Sequence, residues 1–220
     1  MAATSELVQE QHAYEVLSGG TMLEAIGGIA AIALTILSLA GLMPVLLTSI
    51  AVIAIGAALF MEGTSIAAEY RDLLASTSNN QLSAEELGSG ISIEFVAGIG
   101  AIALGILSLV GVATFTLLPI SAIVLGAGVL LSSGTKSRLN STKIRMADVS
   151  NTANAIARDI ASTSIAGELF IGVGAMTLGI LALIGLSPMM LTIIGILGVG
   201  TSSAMSGSAL SGRFWGLTHE

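Results

Sequence analysis

Apolar and polar stretches alternate three times along the chain. No Asp, Glu, Lys, Arg or His occurs in 25–61, 95–135 or 169–212, and polar residues gather in 1–22, 62–93, 134–167 and 207–220. A membrane-spanning helix needs about 20 mainly apolar residues, so each apolar stretch predicts a hairpin of two spans. Soluble helices keep one polar face. These stretches are apolar all round, which favours membrane helices over a large soluble core.

The three stretches also match one another. EAIGGIAAIALTILSLAG (24–41) aligns with EFVAGIGAIALGILSLVG (94–111) and ELFIGVGAMTLGILALIG (168–185). Self-similarity of this kind is the mark of one supersecondary unit copied along a chain. In the first unit 23–41 and 44–61 read as helices, joined by Gly41-Leu42-Met43-Pro44, and the third turns at Gly185-Leu186-Ser187-Pro188. The second turns between Gly111 and Thr114, with its proline displaced to Pro119. Proline near a helix start is tolerated because its missing N–H would be unpaired there anyway. Gly41 to Gly63 and Gly185 to Gly207 are 22 residues, and Gly111 to Gly134 is 23, which suggests one extra residue in the middle unit.

The expected fold is therefore all-α: a polytopic membrane protein with six transmembrane helices in three repeated hairpins, plus cytoplasmic amphipathic helices. The expected units are an N-terminal segment 1–22, hairpins 23–63, 94–134 and 168–207, loops 64–93 and 135–167, and a tail 208–220. Within the loops, 66–76 (Ile66, Tyr70, Leu74) and 142–161 (Met146, Val149, Ala153, Ile156, Ile160) carry apolar residues at helical spacing. Both read as interfacial or partner-packed amphipathic helices. Residues 5–17 form a weaker third example, interrupted at Gln11.

Charge adds an orientation. All seven basic residues, Arg71, Lys136, Arg138, Lys143, Arg145, Arg158 and Arg213, fall in the polar segments, and the three short turns carry no charge. The positive-inside rule then places both termini and both long loops in the cytoplasm of a cell inner (plasma) membrane. The net charge of −7 does not oppose this, since Asp and Glu contribute little to orientation. Residues 1–22 carry Glu6, Glu10 and Glu15 where a signal peptide would want positive charge. Lys136, Arg138, Lys143 and Arg145 form a basic cluster able to meet anionic lipid at roughly 1 kcal/mol per charge; a solvated cytoplasmic coat is the simpler alternative.

Small residues mark one face of each first helix: Gly28, Ala31, Thr35 and Ser38; Gly98, Ala101, Gly105 and Ser108; Gly172, Ala175, Gly179 and Ala182. Lipid tails are as apolar as leucine, so small residues that let backbones approach are what hold such helices together. Close packing is the preferred reading, and a pore lined by weakly polar faces is the rival. The second helices continue the pattern in part, with Ala51, Ala54 and Ala58 in the first unit and Gly195, Gly198 and Ser202 in the third. Gly98-Ile99-Gly100 and Gly172-Val173-Gly174 lack the preceding strand that a nucleotide-binding loop requires.

Glu24, Glu94 and Glu168 open the three units. As residues at helix starts they would favour the helix dipole by about 0.3–1 kcal/mol. Alternatively they form a carboxylate ring at the cytoplasmic mouth of a pseudo-threefold bundle. No catalytic constellation emerges: His12 and His219 stand near opposite ends and there is no cysteine. An enzyme, a cofactor and a nucleic-acid partner are not expected. The expected partners are the lipid bilayer and further copies of the chain or other membrane proteins.

The run G-I-L-S/A-L-x-G, at Gly105 to Gly111 and Gly179 to Gly185, with Pro44 or Pro188 after the turn, resembles the HdeD-like family of short-repeat membrane proteins. The resemblance covers the three apolar units and implies a six-helix bacterial inner-membrane protein tied to stress response. The displaced Pro119, the long loops and the 4% aromatic content depart from that pattern. Two functions follow as expectations. One is a non-enzymatic membrane protein, stress-response-like or structural, acting by close helix packing, oligomerisation or bilayer modification. The other is a small channel or transporter for protons, ions or small solutes between the repeats.

Overall fold

The computed structural model describes residues 22–76, 84–146 and 152–217, with side-chain surroundings for 22–64, 93–133 and 166–207. Among the described residues it contains six helices and no strand. They are α1 (Met22–Leu39), α2 (Pro44–Ser76), α3 (Ala84–Leu109), α4 (Thr114–Met146), α5 (Thr152–Leu183) and α6 (Pro188–Leu217). The apolar parts of α1, α2, α4, α5 and α6 are each long enough to cross a membrane, and that of α3 is the shorter Ile93–Leu109.

Each hairpin turns in the same way. Gly41, Gly111 and Gly185 adopt φ of 87°, 88° and 96°, a region that side chains other than glycine rarely enter. The glycine N–H donates to Ser38, Ser108 or Ala182, and the next N–H (Leu42, Val112, Leu186) donates to Leu37, Leu107 or Leu181 at 3.1–3.2 Å. This pair of bonds is the Schellman motif, which satisfies carbonyls that a helix end leaves open. The residue before each second helix, Met43, Ala113 or Ser187, is also left-handed at φ of 37–40°. Two left-handed residues close together reverse the chain within four residues.

The second helices form the middle of the bundle: α2, α4 and α6 all contact one another. Of their spanning segments 44% is buried, against 28% for α1 and α5. α3 lies against α2 and α4, and α5 against α4 and α6. α1 closes the circle, with Gly28 against Ala204 of α6 and Gly27 against Ala58 of α2. Side chains from the three inner helices then meet in buried layers. Ile55, Leu125 and Val199 form one, each fully buried; Val52, Ala122 and Ile196 form the next toward the turns. These residues belong to one continuous hydrophobic cluster.

Exposure is inverted relative to a water-soluble protein. Phe170 is 81% and Phe115 68% exposed, while Thr35, Thr48, Ser49, Ser121 and Thr192 are fully buried. The buried hydroxyls are satisfied locally: Thr35, Thr48 and Thr192 donate to carbonyls four residues back at 2.6–2.7 Å. Between helices, Ser38 Oγ pairs with Thr48 Oγ1 at 2.8 Å and Ser49 Oγ donates to Ser108 Oγ at 2.9 Å. Large apolar groups turned outward and polar groups bonded inward suit a hydrocarbon solvent, where unsatisfied groups are costly.

Three expectations need correction. Residues 66–76 are not a separate amphipathic helix but the continuation of α2, and 142–161 is not one helix: 142–146 ends α4 and 152–161 begins α5. The segment 5–17 lies outside the described residues. Glu94 and Glu168 do not open helices, because α3 starts at Ala84 and α5 at Thr152, so the dipole argument fails for both. The middle unit also carries no extra residue up to the level of the glutamates. Gly56, Gly126 and Gly200 stand in matching contacts, each 15 residues after its turn glycine. Glu62, Ser132 and Ser206 line one cavity, each 21 residues after it. Ser133, not Gly134, therefore matches Gly63.

Candidate functional site

The stripes of small residues are the buried faces of α1, α3 and α5. All twelve residues, from Gly28 to Ala182, are buried. α3 and α5 each meet the preceding inner helix, and α1 meets α6, around a pair of glycines. A Cβ on Gly98 would lie 2.7 Å from Gly56 O, one on Gly172 2.8 Å from Gly126 O, and one on Gly28 2.7 Å from Gly200 O. Gly56, Gly126 and Gly200 were not singled out in the sequence. Their constant distance from the turn glycines is the signal that would have found them. Ala51 and Ala58 are also buried, while a Cβ on Gly195 or Gly198 would meet only ordinary contacts at 3.5 Å or beyond.

The glutamates ride on the same faces. Glu24, Glu94 and Glu168 each precede the packing glycine by four residues, and side chains four apart share a helix face. They are consequently drawn into the bundle, at 3%, 1% and 8% exposure. All three sit at the end opposite the turns. Glu62 of α2, 8% exposed, joins them there and was not anticipated as a site residue. No sequence signal marked it, because the matching positions on α4 and α6 are Ser132 and Ser206.

Between these side chains lies a small, partly open pocket, with about 190 Å³ of non-atom space that includes open solvent. Glu24, Glu62 and Glu168 contribute its carboxylates, and Ser132, Ser202, Ser203 and Ser206 its hydroxyls. Leu59 and Val129 supply its apolar lining, and among the described residues no basic side chain lines it. Ser206 Oγ donates to Glu24 Oε1, tying α6 to α1, and is also placed to bond the Ser202 carbonyl at 3.1 Å. Glu94 does not line the cavity; it packs beside Gly63, where an added Cβ would lie 3.5 Å from its own Cβ. The expected ring of three is thus a cavity bearing Glu24, Glu168 and Glu62, with Glu94 set to one side.

Among the described residues no group of three or more His, Asp or Glu side chains has the geometry to hold a metal ion. Lys136, Arg138, Lys143 and Arg145 fall on the part of α4 beyond its spanning segment, Thr114–Ser133. His12 and His219 lie outside the described residues.

Helices of this length and apolarity, with the exposure pattern above, define an all-α multi-pass membrane protein. Comparison with protein families, curated proteins and solved structures returns no match.

Proposed function

We propose that this chain is a non-enzymatic integral membrane protein, structural or of stress-response type, that works as a tightly packed bundle. The observation that carries this reading is the filling of the bundle's middle. Ile55, Leu125 and Val199, then Val52, Ala122 and Ile196, occupy the space where a solute path would run, all at 3% exposure or less for the residues of both layers named as core. Transporters keep polar binding groups at mid-membrane, and these layers hold only aliphatic side chains. The glycine contacts close the outer seams as well.

The chain sits in the inner (plasma) membrane with both termini cytoplasmic, on the strength of its basic loops. The matching glycine contacts support a hairpin copied three times. Kinship with the HdeD-like proteins agrees with that layout. The large apolar exterior offers surface for lipid or for further copies, and the basic residues of α4 offer contact with anionic lipid. Reconstitution in liposomes with proton, ion and small-solute flux assays tests the proposal. We expect flux no greater than in protein-free vesicles; saturable flux through the purified protein overturns the reading in favour of a channel or transporter.

A further inference from the structure

We propose that the face of α4 around Arg138 binds the phosphate of an anionic lipid headgroup, at the level where α4 leaves the membrane. This narrows the general basic contact named above to one residue, and it rests on the multi-pass membrane reading rather than on the packed interior. α4 runs from Thr114 to Met146, but its apolar spanning part ends at Ser133. At 1.5 Å per residue those 20 residues cover roughly 30 Å, the thickness of the hydrocarbon core. The helix therefore continues beyond the lipid tails through 134–146, GTKSRLNSTKIRM. That stretch carries four basic residues and no acidic one, in a chain of net charge −7. Arg71 and Arg158, by contrast, stand next to Asp72 and Asp159 in the sequence.

Helical register divides the four cations. Lys136 and Lys143 are seven residues apart, as are Arg138 and Arg145, and seven residues make almost two full turns. Lys136 follows Ser132 by four residues, so the lysine pair continues the face that lines the pocket at the glutamate end. Arg138 follows Leu131 by seven, so the arginine pair continues the face on which Leu131 is 46% exposed. Gly134, Thr135 and Thr142 share that face with Arg138 at three- and four-residue spacing. The residue types suit a phosphate: a guanidinium binds two of its oxygens in a planar fork, and a threonine hydroxyl can donate to a third. Gly134, with no side chain, leaves room for the headgroup.

Depth separates Arg138 from Arg145. The headgroup layer reaches about 5–7 Å beyond the hydrocarbon on each side. Arg138, five residues past the end of the span, stands roughly 7.5 Å further along the helix axis, and Arg145 roughly 18 Å. Attraction to an anionic surface falls off within a Debye length, about 8 Å at physiological salt. Arg138 therefore stands at the phosphates, and Arg145, on the same face, stands beyond their reach in screened solvent. The four cations do not act alike: register sets the lysines apart, and depth sets Arg145 apart.

The test places the purified full chain in nanodiscs of phosphatidylcholine with a rising share of phosphatidylglycerol. Native mass spectrometry counts the lipids that stay with the chain on release. We expect phosphatidylglycerol to be retained about fivefold above its share of the bilayer, the worth of one basic residue at an anionic surface. Arg138→Gln removes that preference, while Arg145→Gln and Lys136→Gln keep it. Inorganic phosphate added in excess leaves it unchanged. Should Arg138→Gln not elute as wild type, wild type and Arg145→Gln decide alone. No preference in wild type, a loss in Arg145→Gln equal to that in Arg138→Gln, or displacement by inorganic phosphate each overturns the assignment, the last in favour of a soluble phosphate ligand. The readout is separate from flux: transport in liposomes sinks the packed-bundle reading without touching this site, and absent lipid preference sinks this site alone.

Discussion

Replacing Gly28 by alanine tests the packing argument at the seam where α1 meets α6. The new Cβ would lie 2.4 Å from Ala204 N, 2.7 Å from Gly200 O and 2.9 Å from Ala204 Cα, all backbone atoms that cannot rotate away. Ordinary carbon contacts need about 3.5–4.0 Å, so the two helices must part by roughly 1 Å at this point. A gap of that size forfeits about a quarter to a half of each contact's attraction, and overpacking of this kind costs about 1–3 kcal/mol. In water, alanine would recover about 1 kcal/mol of helix propensity. In a bilayer the separated helices stay helical, because exposed peptide groups are too costly there, so that gain largely cancels. Gly174→Ala is the control, since nothing lies within 4 Å of its Cβ. Unfolding of both variants by dodecyl sulfate in mixed micelles, followed by circular dichroism, should show Gly28→Ala less stable by about 1–3 kcal/mol and Gly174→Ala unchanged. Equal stability of the two variants would refute the seam.

Other substitutions probe separate parts of the fold by the same assay. Gly41→Ala meets no atom within 4 Å, so its cost is the φ of 87° alone, about 1–2 kcal/mol; Gly111→Ala and Gly185→Ala should match it, and a neutral result at all three would show that the turns can relax. Ser49→Ala and Ser108→Ala in a double-mutant cycle should couple by about 0.6 kcal/mol, the usual value for a hydrogen bond between membrane helices. Zero coupling would remove that bond from the account. Leu125→Ala, in the central layer, should cost about 2–5 kcal/mol, and Phe170→Ala, at 81% exposure, should cost under about 0.5 kcal/mol. A larger loss at Phe170 would mean that its face is covered by protein.

The membrane class, the hairpins and the packing faces were legible because each depends on local spacing. Charge-free runs mark spans, the turn glycines mark reversals, and small residues at three- and four-residue intervals mark the face that approaches a neighbour. What escaped depends on the junction between apolar and polar sequence. Polarity at 62 and beyond reads as a loop, yet α2 continues as helix to Ser76, since a helix has no reason to stop where the surroundings turn polar unless a glycine or proline stops it. The same misjudgement placed Glu94 and Glu168 at helix starts. Glu62 was invisible for another reason: its neighbours in space come from α1, α4, α5 and α6, and no pattern within α2 reveals them.

Those errors share a physical lesson about the glutamates. Alanine or glycine at 24, 94 and 168 would extend each small-residue stripe by one more step at no desolvation cost. A carboxylate there is instead drawn to 8% exposure or less, and a buried charge weakens a bundle unless something meets it. Packing therefore does not explain these residues. The inner layers show how loosely packing constrains identity: Val52, Ala122 and Ile196 fill equivalent places with quite different shapes. Against that tolerance, all three outer helices carry the same acidic side chain at the same step, while the inner positions facing them vary between Glu62, Ser132 and Ser206. Every one of those variants is still an oxygen donor. The end of the bundle opposite the turns thus keeps oxygen at all six positions and lets charge vary at three of them.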